Sequence, residues 1–171
     1  MRIAVLSYGS LVMCPKSDIT HHDIEVHLPF KAINGLRVGV RLGMCAYGRK
    51  LTTCIDESSR TAVQVYYALS LHDNWKAAMR AFALREGCRV EHIAIVHTAD
   101  STSNNFDQKI IQWLRFNNLD MALYANFQCT LTRKDAQMQF LHMQAETQDY
   151  ALNRVPQPGG MKQLHDLLSG L

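Results

Sequence analysis

The sequence predicts an α+β fold, in which a small mixed β-barrel or β-sheet carries packed helices and a helical C-terminal extension. Short apolar runs bounded by turn residues, typical of strands, dominate the first half of the chain. Two later segments place apolar residues at helical spacing after a capping asparagine. The 171 residues match one ordinary domain, without repeats or a dividing linker. We therefore expect a single domain over residues 1–171, with a core over about 1–130 and a helical tail over about 131–171.

The first element is expected to be a buried strand over residues 3–7, followed by the turn Tyr8-Gly9-Ser10. A glycine directly after a buried strand lets successive backbone N–H groups point to one spot, which is an arrangement that binds anions. The structural alternative is a plain turn with Tyr8 packed on the core, and spacing alone favours that alternative.

A meander of antiparallel strands is expected next. Residues 36–42 alternate apolar with polar or small side chains, residues 49–55 resume a strand after a turn, and residues 62–69 are rich in Val and Tyr. Pro29 argues against a central strand in the segment before the meander, because proline cannot donate a ladder hydrogen bond.

Helices are predicted after the meander. Asp73-Asn74 can cap a helix that ends at Glu86-Gly87, and Asn104 or Asn105 can cap a second one that ends at Asn117-Asn118. Strands are expected over residues 90–96 and 121–127. A third helix over about 132–144 and a short terminal helix over 161–168 would form the tail. The apolar positions expected to face the core are Trp75, Ala78, Met79, Phe82 and Ala83 in the first helix, and Phe106, Ile110, Ile111, Trp113 and Leu114 in the second.

Composition excludes several classes of function. A net charge of +3 gives no case for a nucleic-acid partner, which usually needs a concentrated basic stripe. No apolar stretch reaches the roughly 18 residues of a membrane helix, so no membrane partner is expected. The five cysteines are odd in number and never spaced as CxxC, and the start does not resemble an export signal. We therefore expect a cytoplasmic protein whose cysteines are mostly small buried hydrophobic residues.

Arg85-Glu86-Gly87 is the second segment that could carry chemistry. A carboxylate at the C-terminal end of a helix lies near the negative end of the helix dipole, which tends to raise its pKa. A raised pKa suits a general base that must later return its proton. The structural alternative is an exposed glutamate paired with Arg85 or Arg89, and for Glu86 alone that alternative is favoured.

Taken together, these segments resemble a known family. A short apolar strand, the sequence Y-G-S-L, a β meander and a helix ending in E-G resemble the γ-glutamylcyclotransferase-like (AIG2-like) superfamily over roughly residues 3–97. The chain is more closely similar to a bacterial subgroup that has no assigned substrate. That likeness rests on Leu28-Pro29, Gly48-Arg49-Lys50-Leu51-Thr52, Ile55-Asp56, Arg85-Glu86-Gly87, Trp113 with Leu119-Asp120, and Val155-Pro156.

The resemblance implies a site and an activity. Tyr8, Gly9, Ser10 and Leu11 would form the loop that anchors the substrate, and Glu86 would be the catalytic base. The implied enzyme is a transferase or lyase without a cofactor, which releases 5-oxoproline or cleaves a related amide of a small amine-linked substrate. Its partner would be a small molecule with a carboxylate, such as a γ-glutamyl compound.

Further residues are weaker candidates. Arg41 and Arg49 lie on the expected meander and could bind a carboxylate, although strand residues that face water are at least as common. Tyr124 is a guess for the acceptor side of the pocket. No metal site is expected, because no Cys or carboxylate spacing supports the His21-His22-Asp23 segment. Cys88 is expected to be a buried structural thiol, since no histidine partner is identifiable.

Two alternatives to an enzyme stay open. The first is a non-catalytic module that binds a small carboxylate metabolite in the same pocket. The second is an interaction protein whose tail, from Thr132 onward, covers the pocket or binds a partner. The Met-rich run over residues 138–143 is typical of a core face or a dimer contact, so the sequence allows a homodimer.

Overall fold

The computed structural model describes residues 1–13, 22–45, 50–102 and 104–127. The expected tail helices, Arg49 and Val155-Pro156 lie outside these residues. In the described part the α+β prediction is confirmed, because a six-stranded mixed sheet is combined with two helices of twelve residues each.

The elements follow the order expected from the sequence. They are β1 (Ile3–Ser7), α1 (Ser10–Met13), β2 (Val26–Cys45), β3 (Lys50–Ile55), β4 (Ala62–Ser70), α2 (Trp75–Glu86), a 3-10 turn (Val90–His92), β5 (Ile93–His97), α3 (Asn105–Phe116) and β6 (Met121–Ala125). In this part of the chain no helix is long and apolar enough to cross a membrane.

The sheet has the strand order β3-β2-β4-β1-β6-β5. At its centre β1 runs parallel to β6, with Ile3 opposite Met121, and antiparallel to β4. Closure into a barrel would require the two outer strands to pair with each other. Over the described residues the sheet is instead open, with β3 and β5 at its edges. Of the expected mixed β-barrel or β-sheet, the mixed sheet is confirmed, and over the described residues it is not a closed barrel.

The chain divides into two compact units. The first consists of Met1–Val38 with Gln64–Asn126, and it contains the centre of the sheet and the helices α2 and α3. Every residue of β1 and β6 is buried. Their sequences are accordingly continuous runs of mostly apolar residues, which is typical of strands covered on both faces. The second unit includes Gly39–Val63. The expectation of a single domain stays a prediction.

The predicted helix ends are confirmed. Oδ1 of Asn74 accepts hydrogen bonds from the backbone N–H groups of Lys76 (2.9 Å) and Ala77 (3.4 Å) at the start of α2. Gly87 ends α2 in the left-handed conformation, with φ 61° and ψ 41°. Oδ1 of Asn104 accepts from the backbone N–H of Asp107 at the start of α3.

The strand β2 begins earlier than the sequence predicted. It starts at Val26 and includes Pro29, which was expected to exclude a central strand. The pairing of β2 with β3 begins only at Val40, opposite Ile55. Pro29 thus lies outside the stretch paired with β3, and its side chain is exposed. A proline is tolerated there because no ladder bond to β3 is lost.

Within β2 the backbone bends locally at Gly35, whose φ of +77° departs from the extended conformation. The side-chain amide of Gln64, on β4, lies 2.7 Å from the carbonyl oxygen of Ile33 and 3.1 Å from that of Leu36. Because these carbonyls flank the bend, Gln64 supplies the donors that a continuous ladder would otherwise provide.

In the second unit, the turn after β3 is tied to β2. The backbone N–H of Asp56 donates to the carbonyl oxygen of Gly39 at 2.8 Å. Oγ of Ser59 donates to the carbonyl oxygen of Val40 at 2.7 Å. Cys54, on β3, is fully buried but disulfide-bonded, which differs from the expectation of buried thiols.

Candidate functional site

The centre of the candidate site lies at the carboxyl ends of the two central strands, β1 and β6. These strands are parallel, with Val5 opposite Leu123, so both end on the same side of the sheet. Tyr8 directly follows β1 and is buried. Its hydroxyl donates a hydrogen bond to the carbonyl oxygen of Ala125, the last residue of β6. The loop that was expected to anchor a substrate is thus attached to the neighbouring strand.

Glu86 acts electrostatically on this loop. It is the last residue of α2, a helix that packs against β1 and β5. Burial, and after it the negative charge of Glu86, raise the pKa of Tyr8 above its ordinary value. Tyr8 therefore stays a neutral hydrogen-bond donor at physiological pH. The packing of α2 on β1 thus places Glu86 within electrostatic range of Tyr8, while their roles toward a substrate stay predictions.

Arg85 is the charged neighbour of Glu86. Its Nη1 lies 3.3 Å from Oε1 of Glu86, and the two side chains are only 9% and 17% exposed. The structural alternative was an exposed Glu86 paired with Arg85 or Arg89. The structure shows the pairing with Arg85, but Glu86 is largely buried rather than exposed. An adjacent guanidinium favours the ionised carboxylate, whereas partial burial and the end of the helix favour the neutral acid.

The rest of the loop forms the short helix α1 rather than an isolated turn. The carbonyl oxygen of Gly9 accepts a hydrogen bond from the backbone N–H of Val12 at 3.3 Å. Ser10 is the first residue of α1, and the side chain of Leu11 is buried. Gly9 and Ser10 therefore connect β1 directly to a helical turn, and Leu11 contributes to the core.

The sequence also proposed two arginines, Arg41 and Arg49, as substrate ligands. Nε of Arg41 lies 3.3 Å from Oδ2 of Asp56, and both residues belong to the second unit. This ion pair favours a structural role for Arg41. Arg49 lies outside the described residues, so its role stays a prediction.

Tyr124 is engaged in packing against α3. Its hydroxyl donates to Oδ1 of Asp107 at 2.9 Å, and its ring meets that of Phe106 edge to face at 5.4 Å. Its hydrogen bond with α3 explains its burial without a substrate, so the structure gives the acceptor-side role no support.

Sequence reasoning missed two contributions to the site. The acceptor for Tyr8 is a backbone carbonyl, at Ala125, which no side-chain pattern indicates. Arg85 was considered only as a surface partner of Glu86. Its spacing from Ala78 and Phe82 is that of the buried stripe of α2, and this could have indicated its burial.

The sequence also raised two further possibilities, a metal site near His22 and a reactive thiol at Cys88. Among these residues no group of three or more His, Cys, Asp or Glu side chains could hold a metal ion. His22 and Asp23 are exposed. Cys88 is half-buried and not disulfide-bonded, and its backbone N–H donates to the carbonyl oxygen of Ala83.

Comparison of the chain with protein-family models, with curated proteins and with solved structures finds no match in any of the three.

Proposed function

We propose that this protein is a cofactor-independent γ-glutamylcyclotransferase-like enzyme, which releases 5-oxoproline or cleaves a related amide of a small amine-linked substrate. One relationship carries the proposal: the helix that ends at Glu86 packs against β1, which the Tyr8 loop directly follows. The charge of Glu86 accordingly contributes to the raised pKa of Tyr8. These are the two motifs for which the family resemblance implies a base and an anchoring loop. They are 78 positions apart in the sequence (86 − 8).

The proposed reaction needs only proton transfer within a tethered substrate. Glu86 takes a proton from the α-amino group, whose nitrogen then attacks the γ-carbonyl carbon of the same molecule. The new C–N bond closes the five-membered ring, and the bond from the γ-carbon to the departing amine breaks. Glu86 then gives its proton to that amine. Because nucleophile and electrophile are already joined, orientation supplies much of the acceleration.

The loop residues would orient the substrate in this reaction. Backbone N–H groups of Gly9, Ser10 and Leu11 would hold the α-carboxylate, because donors fixed by the fold bind an anion with little reorganisation. Tyr8 would hold the loop in place through its hydrogen bond to Ala125. Arg41 and Arg49 stay proposed carboxylate ligands. No step requires a metal ion or an organic cofactor.

The ion pair between Arg85 and Glu86 favours a second candidate function. A carboxylate that is already paired at 3.3 Å can serve a binding site without chemistry. The protein would then be a non-catalytic module that binds a small carboxylate metabolite in the same place. This candidate predicts that Glu86→Gln leaves ligand binding intact, and that no substrate is consumed.

The cellular setting is part of the proposal. We propose a cytoplasmic protein without a nucleic-acid or membrane partner, and a homodimer as its assembled form. The disulfide at Cys54 offers a test of this compartment, because thiol buffers keep most cytosolic cysteines reduced. Thiol counting on protein rapidly alkylated inside cells tests the compartment, and light scattering of the purified chain tests the dimer.

The decisive experiment is mass-spectrometric detection of 5-oxoproline. The panel consists of γ-glutamyl amino acids, γ-glutamyl amines and glutathione. The proteins are the wild type, Glu86→Gln, and Glu91→Gln as the matched control, since Glu91 is an exposed glutamate on the 3-10 turn. We expect product from the wild type and the control but not from Glu86→Gln.

Two other outcomes contradict parts of the proposal. Equal product from Glu86→Gln would remove Glu86 from the role of base. No product from any member of the panel would argue against the cyclotransferase and for the binding module. Calorimetric titration of the same panel would then test that module directly.

A further inference from the structure

Arg85 and Glu86 form a pair that helix geometry does not favour. Consecutive residues on a helix point about 100° apart, so their side chains do not normally face each other. Nevertheless, Nη1 of Arg85 and Oε1 of Glu86 lie 3.3 Å apart at the end of α2. Arg85 also lies on the stripe of α2 that includes the buried residues Ala78 and Phe82. The arginine of the pair thus belongs to the buried side of the helix.

Burial distinguishes this pair from an ordinary surface ion pair. The arginine side chain is 9% exposed and the glutamate side chain 17%. Exposed pairs are screened by water and contribute little, whereas charges shielded from solvent interact strongly. A buried arginine without an anion nearby would be costly, and so would a buried carboxylate without a cation.

The other titratable groups around the end of α2 differ from Arg85 in charge or in burial. Tyr8, after β1, is neutral because burial and Glu86 raise its pKa. The 3-10 turn and its cap carry Arg89 and Glu91, which are both exposed, and the half-buried His92. On β5 the titratable residue is His97, at the far end of the strand from Ile93. Arg85, by contrast, is permanently charged and buried, and it lies beside the carboxylate.

We propose that Arg85 is a positioning residue, which holds the carboxylate of Glu86 ionised and in place beside the Tyr8 loop. The effect of Arg85 on the ionisation of Glu86 is independent of catalysis, whereas its role in the reaction rests on the proposed function. An ionised carboxylate can accept the proton of an α-amino group, whereas a neutral carboxylic acid cannot. Arg85 itself would contact Glu86 and not the substrate.

The test observes Glu86 directly by NMR, so it does not depend on turnover. The protein is labelled with ¹³C at the side-chain carboxyl of glutamate, and the Glu86 signal is assigned by its loss in Glu86→Gln. Titrations compare the wild type with Arg85→Met, which keeps an unbranched apolar stem but removes the charge, and with Arg85→Lys, which keeps the charge. Circular dichroism confirms that each variant is folded.

The expected result is an ionised Glu86 in the wild type at pH 7. Arg85→Met should raise the pKa of Glu86 by about one unit or more, and Arg85→Lys should restore most of the difference. If the enzyme is active, the acid limb of kcat/KM should move with the NMR titration in Arg85→Met.

Two results would overturn the inference. One is a wild-type Glu86 that is protonated at pH 7, which can be observed even if Arg85→Met fails to fold. The other is a folded Arg85→Met variant in which Glu86 titrates as in the wild type. Failure of the proposed function gives a different pattern: the expected NMR shifts would be present, while no 5-oxoproline is formed.

Discussion

The hydroxyl of Tyr8 donates a hydrogen bond to the carbonyl oxygen of Ala125, 117 positions away in the chain. This bond joins the residue after β1 to the end of β6. Both groups are buried, so the bond is protected from competition by water. The loop at the candidate site is therefore held in one position before any ligand arrives.

Because folded Tyr8 resists ionisation, the free energy of unfolding should fall in alkaline solution. Its pKa is raised in the folded protein, by burial first and by Glu86 second, whereas in the unfolded chain it is about 10. Between these two values the folded state retains a proton that the unfolded state has lost. The stabilisation is complete below pH 10 and is lost as the pH rises through this interval, by about 1.4 kcal/mol per pH unit.

Urea unfolding at pH 9, 10 and 11 measures this effect. We expect the free energy of unfolding of the wild type to decrease more steeply with pH than that of Tyr8→Phe. At pH 8 the variant should be less stable by about 1 kcal/mol, because the Ala125 carbonyl loses its donor. Parallel pH profiles for the two proteins would show that Tyr8 ionises equally in both states.

Replacement of Gly87 should weaken the end of α2. Its φ of 61° is in the left-handed region, where a residue with a Cβ is strained by about 1–2 kcal/mol. We expect Gly87→Ala to lower the free energy of unfolding by that amount, and Gly87→Asn to cost less. Arg80→Ala, at an exposed position of the same helix, is the matched control and should be nearly neutral. Equal unfolding midpoints for Gly87→Ala and the control would contradict this explanation.

At position 64, the free energy of unfolding should depend on the N–H donors of the side-chain amide more than on the shape of the side chain. Gln64→Glu keeps the shape but places carboxylate oxygens beside the carbonyls of Ile33 and Leu36. We expect a loss of about 2 kcal/mol or more at pH 7. The loss should shrink near pH 4, because a protonated carboxyl can donate again.

Urea unfolding at both pH values tests this expectation for Gln64. Gln112→Glu, on the exposed side of α3, serves as the control for added negative charge. A loss at Gln64 that is the same at pH 7 and pH 4 would indicate that donors to the bend are unimportant.

Gly39 and Gly35 should respond differently to substitution. A Cβ at position 39 would overlap the backbone carbonyl oxygen of Asp56, whereas a Cβ at position 35 would meet no atom within 4 Å. Gly39→Ala should therefore cost about 1–3 kcal/mol through overpacking, and Gly39→Asn more. At Gly35 the cost comes from its φ of +77°, so Gly35→Asn should be milder than Gly35→Ala. The opposite order of Asn and Ala at either position would contradict this distinction, and thermal unfolding is sufficient to measure it.

The parts of the fold that the sequence predicted correctly are determined by nearby residues. The caps of α2 and α3 depend on Asn74, Gly87 and Asn104, and each acts on backbone groups of its own helix. The strand β1 was recognisable because all its residues are apolar or small and a turn follows at once. Such signals need no knowledge of the rest of the molecule.

The parts that were wrong or missed depend on distant partners. Pro29 is tolerated because pairing with β3 begins only at Val40, which local sequence does not reveal. The open sheet depends on which strands lie at its edges. At the site, Tyr8 and Glu86 were both singled out. The buried position of Arg85 and the acceptor at Ala125 became visible only from the tertiary structure.

The parallel pairing of β1 with β6 also has a consequence during synthesis. Ile3 cannot meet Met121 until the ribosome has released almost the whole described chain, and the bond between the backbone N–H of Arg2 and Asp120 spans 118 positions. At about 5–20 residues per second, the apolar first strand stays without its parallel neighbour for on the order of 10 s. Such a high contact order slows folding. During this interval the nascent first strand is an apolar segment that a chaperone could protect.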